Sequence, residues 1–421
     1  MRKGQGPLTA DLELESEEKH DKTVWWKGFS AGLAMALLMV ILLFLIGRPS
    51  ALTVSRSGGL TFAEADELVC KLDTLFRQLD EKYLEDLDHE TLLDGAYHGM
   101  VQAVGDQYTR YYNEEEYDAY KESSSGEYVG IGVTVTQCES GAKIVSVDEN
   151  GSAKEAGLQA EDILIKVNGT SLAGMKLTDI VSLIKGKEGE SVEITYLRGE
   201  SGIENTISLK RKSLEVATVK HEMLEKGIGY VAISGFDGVT TDQFRSALTD
   251  LKNQGLEGLI VDLRDNPGGR VDVVQAVTNE LVPAGIITYT EDKNGEKKIY
   301  DSTEDPYLNL PLVVLVNGNS ASASEIMAGA IQDMGVGLLV GTTTFGKGIV
   351  QVTTPLNDGT AMKVTMAKYY TPNGSYIHQV GIKPDIVIDL PEGVTFSKLQ
   401  SHEEDIQLQT ALEALKTKMG S

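Results

Sequence analysis

Three serines, Ser320, Ser322 and Ser324, stand two residues apart in the stretch "NGNSASASEIMAGAIQD", residues 317–333. The apolar run "VVLVN" before them predicts a buried strand, and "EIMAGAIQD" after them predicts a helix. A hydroxyl at this junction lies beside the free N–H groups of a helix N-terminus, which can stabilise an oxyanion. One of these serines could therefore act as a nucleophile, but none of the six histidines lies in the stretch to take its proton.

A structural role for the central serine is an alternative. Ser322 followed by Glu325 is the S-x-x-E pattern of a capping box, in which the serine begins a helix and does no chemistry. For a serine taken by itself, the cap is the more common role. A partner for the hydroxyl has to be found elsewhere in the chain.

A glycine-rich loop, "GTTTFGKG" at residues 341–348, presents Lys347. Its first seven positions match a phosphate-binding loop, and "LIVD" ending at Asp262 resembles a Walker B strand. However, Gly348 stands where Mg²⁺ binding needs Ser or Thr, and "IVQVTTP" continues as a strand where that motif requires a helix. Nucleotide hydrolysis is therefore disfavoured.

The elements that would position these residues alternate between strand and helix from residue 213 to about 392. Such alternation predicts an α/β domain with glycine-rich corners, where active sites usually lie. Residues 128–212 instead contain about six short strands and one helix, in an order that resembles a PDZ domain. The stretch "YVGIG" takes the place of the loop that presents backbone N–H groups to a peptide's terminal carboxylate, while the sheet edge accepts the peptide as a strand. The predicted peptide-binding residues are Tyr128, Val129, Gly130, Ile131 and Gly132.

Composition narrows the class of protein. The 421 residues carry 38 basic and 63 acidic side chains, a formal charge of −25, so a nucleic acid partner is disfavoured. Residues 29–46 are 18 positions without a charge, flanked by Trp25, Trp26 and Lys27, and they predict a membrane-spanning helix. Lysines before the span place the N-terminus in the cytoplasm. A cleaved signal peptide is the alternative, but the long acidic n-region disfavours it.

Four motifs in order, "DLRDNPGG", "SASASE", "TFGKGIVQ" and "YYTPNGSYIHQVGIKPDI", follow the PDZ-like module and the earlier "GDQYTRYY". Together they resemble the carboxyl-terminal processing proteases, tail-specific serine peptidases with a Ser/Lys dyad, over residues 60–392. The resemblance implies that Ser322 attacks, that Lys347, 25 positions later, is the base, and that Gln351 holds the amine. It also implies an oxyanion hole at the N–H of Ala323 and a glycine of the pair Gly268 and Gly269. Supporting positions implied by the resemblance are Glu325, Asp333 and Thr344.

A lysine can replace histidine as the base because burial lowers its pKa. An exposed lysine has a pKa of about 10.4, and an apolar pocket can lower that value by several units. A neutral Lys347 would then accept the Ser322 proton. Two positions depart from the family pattern: Gln107 stands where proline is common, and Lys185 stands where arginine is frequent. In some members of the family the cation at the second position helps to couple the PDZ domain to the active site. Because lysine cannot make a bidentate contact as arginine does, that coupling is in question here.

The predicted fold is a multidomain α/β and β mixture: a transmembrane helix, a helical segment, a PDZ domain and an α/β peptidase core of the crotonase or Clp-protease type implied by the resemblance. The predicted boundaries are 1–27 for a cytoplasmic tail, 28–47 for the anchor, 48–59 for a linker, 60–121 for a helical region, 127–213 for the PDZ domain, 214–392 for the peptidase core and 393–421 for a helical tail.

The predicted function is a membrane-anchored, outward-facing serine endopeptidase that recognises the free C-termini of proteins or peptides and needs no metal or cofactor. A catalytically silent PDZ scaffold and the NTPase are the alternatives, and the intact Ser322, Lys347 and Gln351 disfavour the scaffold. Family members often dimerise through terminal helices, so a homodimer is one option, as is a regulatory protein partner. The residues decide neither.

Overall fold

The computed structural model describes residues 59–199, 202–303, 307–399 and 401–420. The predicted cytoplasmic tail and membrane anchor lie outside the described residues, as does nearly all of the linker. Among the helices that are described, none combines the length and the apolar character that a membrane span requires. The described residues divide into two compact units, with the boundary between His89 and Glu90.

In the first unit, helix α1 (Phe62–Lys82) begins at a capping box, where the Thr61 N–H donates to the Glu64 carboxylate at 2.8 Å. The sequence predicts a packed helix here, with a stripe of leucines on one face. In the structure Leu68, Leu75 and Leu79 remain 41 to 48% exposed. The stripe is therefore present, but the described residues of this unit do not cover it.

The centre of the second unit is a six-stranded sheet. Its strands, in the order in which they pair, are β10 (Val219–Glu225), β11 (Ile228–Ile233), β12 (Gly258–Asp262), β15 (Leu312–Val316), β16 (Gly337–Gly341) and β19 (Ile386–Val387). All neighbours are parallel except the antiparallel pair β10 and β11. Strand β12 is buried on both faces, since Leu259 and Val261 point into one core and Ile260 into another. A strand covered on both sides has to be apolar throughout, as "GLIVD" nearly is.

Helices cover both faces of this sheet. Three of them share the larger core with Phe236 and Ile287, namely α6 (Thr240–Asn253), α7 (Val271–Asn279) and α8 (Ala323–Asp333). The opposite face is covered by the C-terminal helix α9 (Ile406–Met419), whose Leu408 and Leu415 are fully buried. The tail predicted at 393–421 thus completes the core.

A second sheet forms one side of the site. Strand β18 (Ala361–Tyr370) pairs with β17 (Ile349–Pro355) along one edge, and with β1 (Arg110–Tyr112) and β13 (Gly285–Asp292) along the other. Strand β14 (Lys297–Ser302) extends the sheet beyond β13. Because the loop containing Lys347 leads into strand β17 rather than a helix, the geometry of a phosphate-binding loop is absent from these described residues.

The PDZ-like module has a sheet and a core of its own. The remaining elements of the second unit are α2 (His89–Gln102), which starts at the boundary between the units, α3 (Glu114–Ser125), β2 (Glu127–Gly130), β3 (Val133–Cys138), β4 (Gly141–Val147), α4 (Ser152–Glu155), β5 (Ile163–Val167), β6 (Thr170–Ser171), α5 (Leu177–Ile184), β7 (Ser191–Arg198), β8 (Ile203–Lys210) and β9 (Lys212–Glu215). The sheet of the module has the order β3-β4-β5-β7-β8, with β6 paired to β5, around Ile144, Leu164, Ile180 and Ile194. Strand β3 lies at one edge of this sheet.

Candidate active site

Ser322 is the N-cap residue of α8, at the turn that follows β15. Its backbone angles, a φ of 55° and a ψ of −111°, lie in a region that residues other than glycine rarely adopt. A strained strand-to-helix turn of this kind is how α/β-hydrolases expose a nucleophilic serine. Here Ser322 lines a cleft of about 740 Å³, which we call the central cleft.

The two neighbouring serines are used differently. Ser320 is fully buried; its hydroxyl donates to the Leu263 carbonyl at 2.8 Å and accepts the Asn317 N–H at 2.9 Å. Ser324 is also fully buried, and its hydroxyl donates to the Asn266 carbonyl at 3.0 Å. Of the three serines, only Ser322 is on the cleft wall.

Lys347 lies in the loop between β16 and β17 and lines the same cleft. Its ammonium is 4.5 Å from the centre of the Tyr108 ring. Burial and, to a smaller extent, the positive charge of Lys363 lower the pKa of Lys347 to about 8, while Asp106 and Glu325 act in the opposite direction. An amine with a pKa near 8 is still mostly protonated near physiological pH, but its neutral fraction, roughly a fifth, is far larger than that of an exposed lysine, and a general base requires the neutral form.

The buried carboxylate of Glu325 ties the serine and lysine segments together. Its Oε2 atom accepts the Ser322 N–H at 2.9 Å, which is half of the expected capping box, and also accepts the Lys347 N–H at 2.8 Å. Its Oε1 atom accepts the Gly346 N–H at 2.7 Å and the Thr344 hydroxyl at 2.5 Å. Glu325 and Thr344 therefore hold the backbone around both candidate catalytic residues.

Gln351 also faces the central cleft, directly after a bulge in the pairing of β17 with β18. Bulges re-aim side chains beside active sites. Its amide donates to the Thr365 hydroxyl at 3.2 Å, and Thr365 in turn donates to the Asp106 carboxylate at 2.6 Å. Thr109 donates to the same carboxylate at 2.6 Å. Gln351 is thus oriented by a chain of polar groups that leads back to the "GDQYTRYY" segment.

The glycine pair of "DLRDNPGG" packs directly against the serine. A Cβ atom on Gly268 would lie 2.9 Å from the Ser322 Cβ and 2.7 Å from the Ala321 carbonyl, so only glycine fits there. The Gly268 N–H donates to the Asn266 side chain at 2.8 Å. Phe236 and Gly269 form an isolated parallel β-bridge. The Phe236 N–H donates to the Gly268 carbonyl, and the Arg270 N–H donates to the Phe236 carbonyl, so the Gly269 N–H between them points away from Phe236.

Two backbone donors consequently remain for an oxyanion. The Ala323 N–H is the first of α8 and has no acceptor within the helix. The Gly269 N–H is the second, whereas the Gly268 N–H is engaged by Asn266. The side chain of Asn266 is completely buried and also donates to the Ile233 carbonyl at 2.8 Å, so it fixes the loop from two sides.

Asp333 is not brought to the cleft. It is the last residue of α8, and 11 residues at about 1.5 Å each place it roughly 16 Å from Ser322. Its carboxylate accepts the Asn373 N–H at 2.8 Å and so supports the loop after β18. Asn266, Tyr108 and Asp106 are site residues that sequence reasoning did not single out, although all three lie inside the quoted motifs "DLRDNPGG" and "GDQYTRYY". Thr365 and Lys363 of β18 are two more, and they lie in none of the quoted motifs.

The residues predicted to bind the peptide fall in two parts of the structure, a paired strand and the connection that follows it. Tyr128, Val129 and Gly130 lie in β2, whose backbone pairs with β9, while Ile131 and Gly132 form the connection to the edge strand β3. Gly132 has a φ of 81°, and a Cβ atom there would lie 2.6 Å from the Gly151 Cα. The loop therefore needs glycine at this position.

Lys185, at the end of α5, forms an ion pair with Glu122 of α3. Helix α3 in turn lines the central cleft through Tyr117, Tyr120, Ser123 and Ser124. The lysine at this position therefore connects the PDZ-like module to a helix of the cleft wall.

No group of three or more His, Cys, Asp or Glu side chains within the described ranges is arranged to hold a metal ion.

Three family models match the chain. Residues 227–388 match peptidase family S41, residues 143–198 match the PDZ domain, and residues 52–116 match the N-terminal domain of the activating protease CtpB. The peptidase match spans the glycine pair, Ser322, Lys347 and Gln351. The matched regions therefore fall in the order in which the motifs occur.

Curated relatives agree with these matches. The chain is 36% identical to the carboxy-terminal processing protease CtpA of Bacillus subtilis, over 83% of this chain and 74% of that protein. It is 35% identical to CtpB of the same organism, over 81% of this chain and 72% of that protein. A solved photosystem II D1 C-terminal processing protease is 30% identical, covering 83% of this chain and 91% of that one, with a TM-score of 0.45. The chain therefore belongs to the carboxyl-terminal processing proteases, serine-type peptidases of family S41 with a PDZ domain.

Proposed function

We propose that this protein is a membrane-anchored endopeptidase in which Ser322 is the nucleophile and Lys347 the general base. The observation that carries the proposal is that both side chains line one cleft and that burial lowers the pKa of Lys347 to about 8. Glu325 supports it by bonding the backbone N–H of each residue. A serine that only capped its helix would not need a buried amine across the same cleft.

In the proposed reaction the neutral Lys347 amine removes the Ser322 proton as the serine oxygen attacks the scissile carbonyl. The negative charge on the carbonyl oxygen is stabilised by the N–H groups of Ala323 and Gly269. The Lys347 ammonium then donates its proton to the leaving amine, and an acyl-enzyme remains. A water molecule, deprotonated by Lys347, hydrolyses the ester and regenerates Ser322. Gln351 would accept a hydrogen bond from the amine through its side-chain oxygen.

The PDZ domain is proposed to bind the free C-terminus of a protein substrate and deliver it to the cleft. Strand β3 lies at the edge of its sheet, where a peptide can add as a further strand, and the adjoining turn at Ile131 and Gly132 is the candidate carboxylate loop. The proposed location of the catalytic part is the outer face of the cell membrane, with residues 28–47 as a single anchor. The support for it is the uncharged span and its flanking lysines.

The dyad is tested by purified Ser322→Ala, Lys347→Ala and Lys347→Arg, each assayed for peptide cleavage and thermal unfolding. Each variant should keep its fold and lose activity by orders of magnitude, and arginine should not rescue because a guanidinium stays charged. Ser324→Ala is the matched control: it removes a buried hydrogen bond, so it should lower stability yet retain turnover. Robust cleavage by Ser322→Ala, with contaminating protease excluded, would contradict the mechanism.

The topology has its own test. Protease added to intact cells should cleave beyond Arg48 and leave residues 1–27 protected. Protection of the large domain would contradict the proposed orientation. Comparing shed protein fragments from cells with wild-type and Ser322→Ala protein would identify the physiological substrates.

A further inference from the structure

Beside the central cleft, two cations face each other on neighbouring strands. Arg110 of β1 is directly opposite Lys363 of β18, and Lys363 is directly opposite Thr353 of β17, so the three side chains form a row on one face of the sheet. Like charges directly opposite each other in a sheet are destabilising. A pair of this kind therefore needs a compensating group.

The described part of the protein does not supply that group. Neither cation forms an ion pair with any acidic side chain in the described ranges, and the Lys363 ammonium lies instead 5.1 Å from the centre of the Tyr120 ring. The neighbouring carboxylate, Asp106, is already bonded to the hydroxyls of Thr109 and Thr365. The hydroxyl oxygen of Thr353, third in the row, is buried and has no hydrogen-bond partner among the described residues. The row thus holds donors without an acceptor.

A small polar pocket of about 160 Å³ lies at this row. The volume accommodates a carboxylate with a few water molecules. Its lining offers cations, amides and phenol groups but no carboxylate: Gln107, Tyr108, Arg110, Tyr112, Gln351 and Lys363. Gln351 and Lys363 also line the central cleft, so the pocket opens beside the candidate dyad. Gln107, which stands where proline is common in the family, contributes an amide that a proline would not.

We propose that Lys363 and Arg110 form a carboxylate-binding subsite beside the dyad, which takes an acidic group of the bound peptide. The proposal rests on the proposed function, because that function brings a peptide into the cleft. The acidic group is either an Asp or Glu side chain close to the scissile bond or the terminal carboxylate of the substrate. Both present the same oxygens to the cations, and the two arms of the experiment separate them.

The first arm uses peptides of one sequence with an amidated C-terminus, which removes the PDZ ligand. A glutamate is moved stepwise across the scissile bond, and each peptide is paired with its glutamine analogue. If the subsite takes a side chain, kcat/KM should favour glutamate by about tenfold at one position. In Lys363→Met this ratio should fall close to one. Lys368→Met, on the same strand but at an exposed position, is the matched control and should keep the ratio.

The second arm compares neutral peptides as free acids and amides, with the end placed at increasing distance from the cleavage site. If the subsite takes the terminus, the free acid should gain an additional preference at one short distance, and Lys363→Met should remove that additional preference. Any contribution of the PDZ domain is common to both enzymes, so it cancels from the comparison.

Measurements of peptide binding test the carboxylate-binding subsite independently of catalysis. The same peptide pairs are titrated into Ser322→Ala by fluorescence anisotropy at low and high salt. The acidic peptide should bind more tightly, and the difference should shrink with added salt and in the Ser322→Ala/Lys363→Met double variant. If Ser322→Ala still cleaves, the proposed dyad fails, while these titrations still test the subsite. Equal affinity and equal kcat/KM for every acidic and neutral pair would overturn the subsite.

Discussion

The carboxylate of Glu325 accepts the backbone N–H of Lys347 at 2.8 Å, through the same oxygen that accepts the N–H of Ser322. One buried group therefore sets the position of two loops that are 25 residues apart in sequence. Since its other oxygen holds Gly346 and Thr344, the whole turn before Lys347 depends on it. Glu325 acts on the backbone and leaves the amine of Lys347 free to face the cleft.

Glu325→Gln is the first prediction. The amide replaces one accepting oxygen by a donor that faces other donors, so buried N–H groups lose their acceptor. We expect the free energy of unfolding to fall by about 1 to 3 kcal/mol and kcat/KM to fall at least about a hundredfold, because both loops shift. Urea unfolding and peptide cleavage measure the two effects. Glu413→Gln, on the exposed face of α9, is the control and should change neither. A fully active Glu325→Gln would contradict the positioning role.

The pH dependence of catalysis follows from the lowered pKa of Lys347. The base has to be neutral, so kcat/KM should rise with pH through a midpoint near 8 and fall about tenfold per unit well below it. Thermal unfolding over the same pH range separates this effect from loss of fold. His378 accepts the Gly348 N–H beside Lys347, so His378→Gln is a necessary control. A midpoint that disappears in His378→Gln would show that Lys347 is not the group responsible for the pH dependence.

Two neighbouring charges should move that midpoint in opposite directions. Lys363 lowers the pKa of Lys347 and Asp106 raises it. Replacing Lys363 by Met therefore should shift the midpoint of kcat/KM to higher pH, and Asp106→Asn should shift it to lower pH. Both shifts should shrink with added salt. Because burial is the largest cause of the lowered pKa, neither variant should return the midpoint to that of free lysine. Shifts of the same sign would show that electrostatics is not responsible.

The sequence was most informative where chemistry demands a residue type. Only glycine fits at Gly268, so this position of "DLRDNPGG" reflects a steric requirement. The pairing of Ser322 with Lys347 does not follow from spacing alone, and it rests on the resemblance of four ordered motifs to a known protease family. The alternation of strands and helices likewise predicted the α/β core. Ser320 and Ser324 could not be separated from Ser322 by spacing alone, because the difference is which hydroxyl is buried against the loop at Leu263 and Asn266.

The sequence did not predict which distant segments contact each other in the fold. An amphipathic pattern gives α9 a face but no partner, so nothing in residues 393–421 indicated that Asp405 would bond Arg264, 141 residues earlier. The resemblance implies a supporting role for Asp333 at the site, whereas helix geometry places this residue at the far end of α8. The same limit applied to Asp106, whose contact with Thr365 depends on β1 pairing with β18.

The buried ion cluster beneath the glycine loop gives the fourth prediction. Arg264 has a fully buried side chain, and it bonds both Asp262 and Asp405, the N-cap of α9. Asp405→Ala leaves this charge partly unpaired, so the free energy of unfolding should fall by about 3 to 5 kcal/mol in urea titrations. Glu413→Ala, exposed on the same helix, should have little effect. A loss below about 1 kcal/mol would show that α9 is held by its apolar face alone.

The last prediction concerns the ion pair between Lys185 and Glu122, which joins the end of α5 in the PDZ domain to α3. Both side chains are about one-third exposed, so the pair should contribute less than about 1 kcal/mol to stability. The effect of this ion pair should appear in the activity, since α3 lines the central cleft through Tyr120 and Ser124.

A peptide that binds the PDZ domain should change kcat/KM for a second, amidated substrate in the wild type. Lys185→Glu should weaken that response, and the exchange Lys185→Glu/Glu122→Lys should restore it, because the attraction is recreated with the charges reversed. Single and double variants that respond like the wild type would show that the two domains communicate through other contacts or not at all.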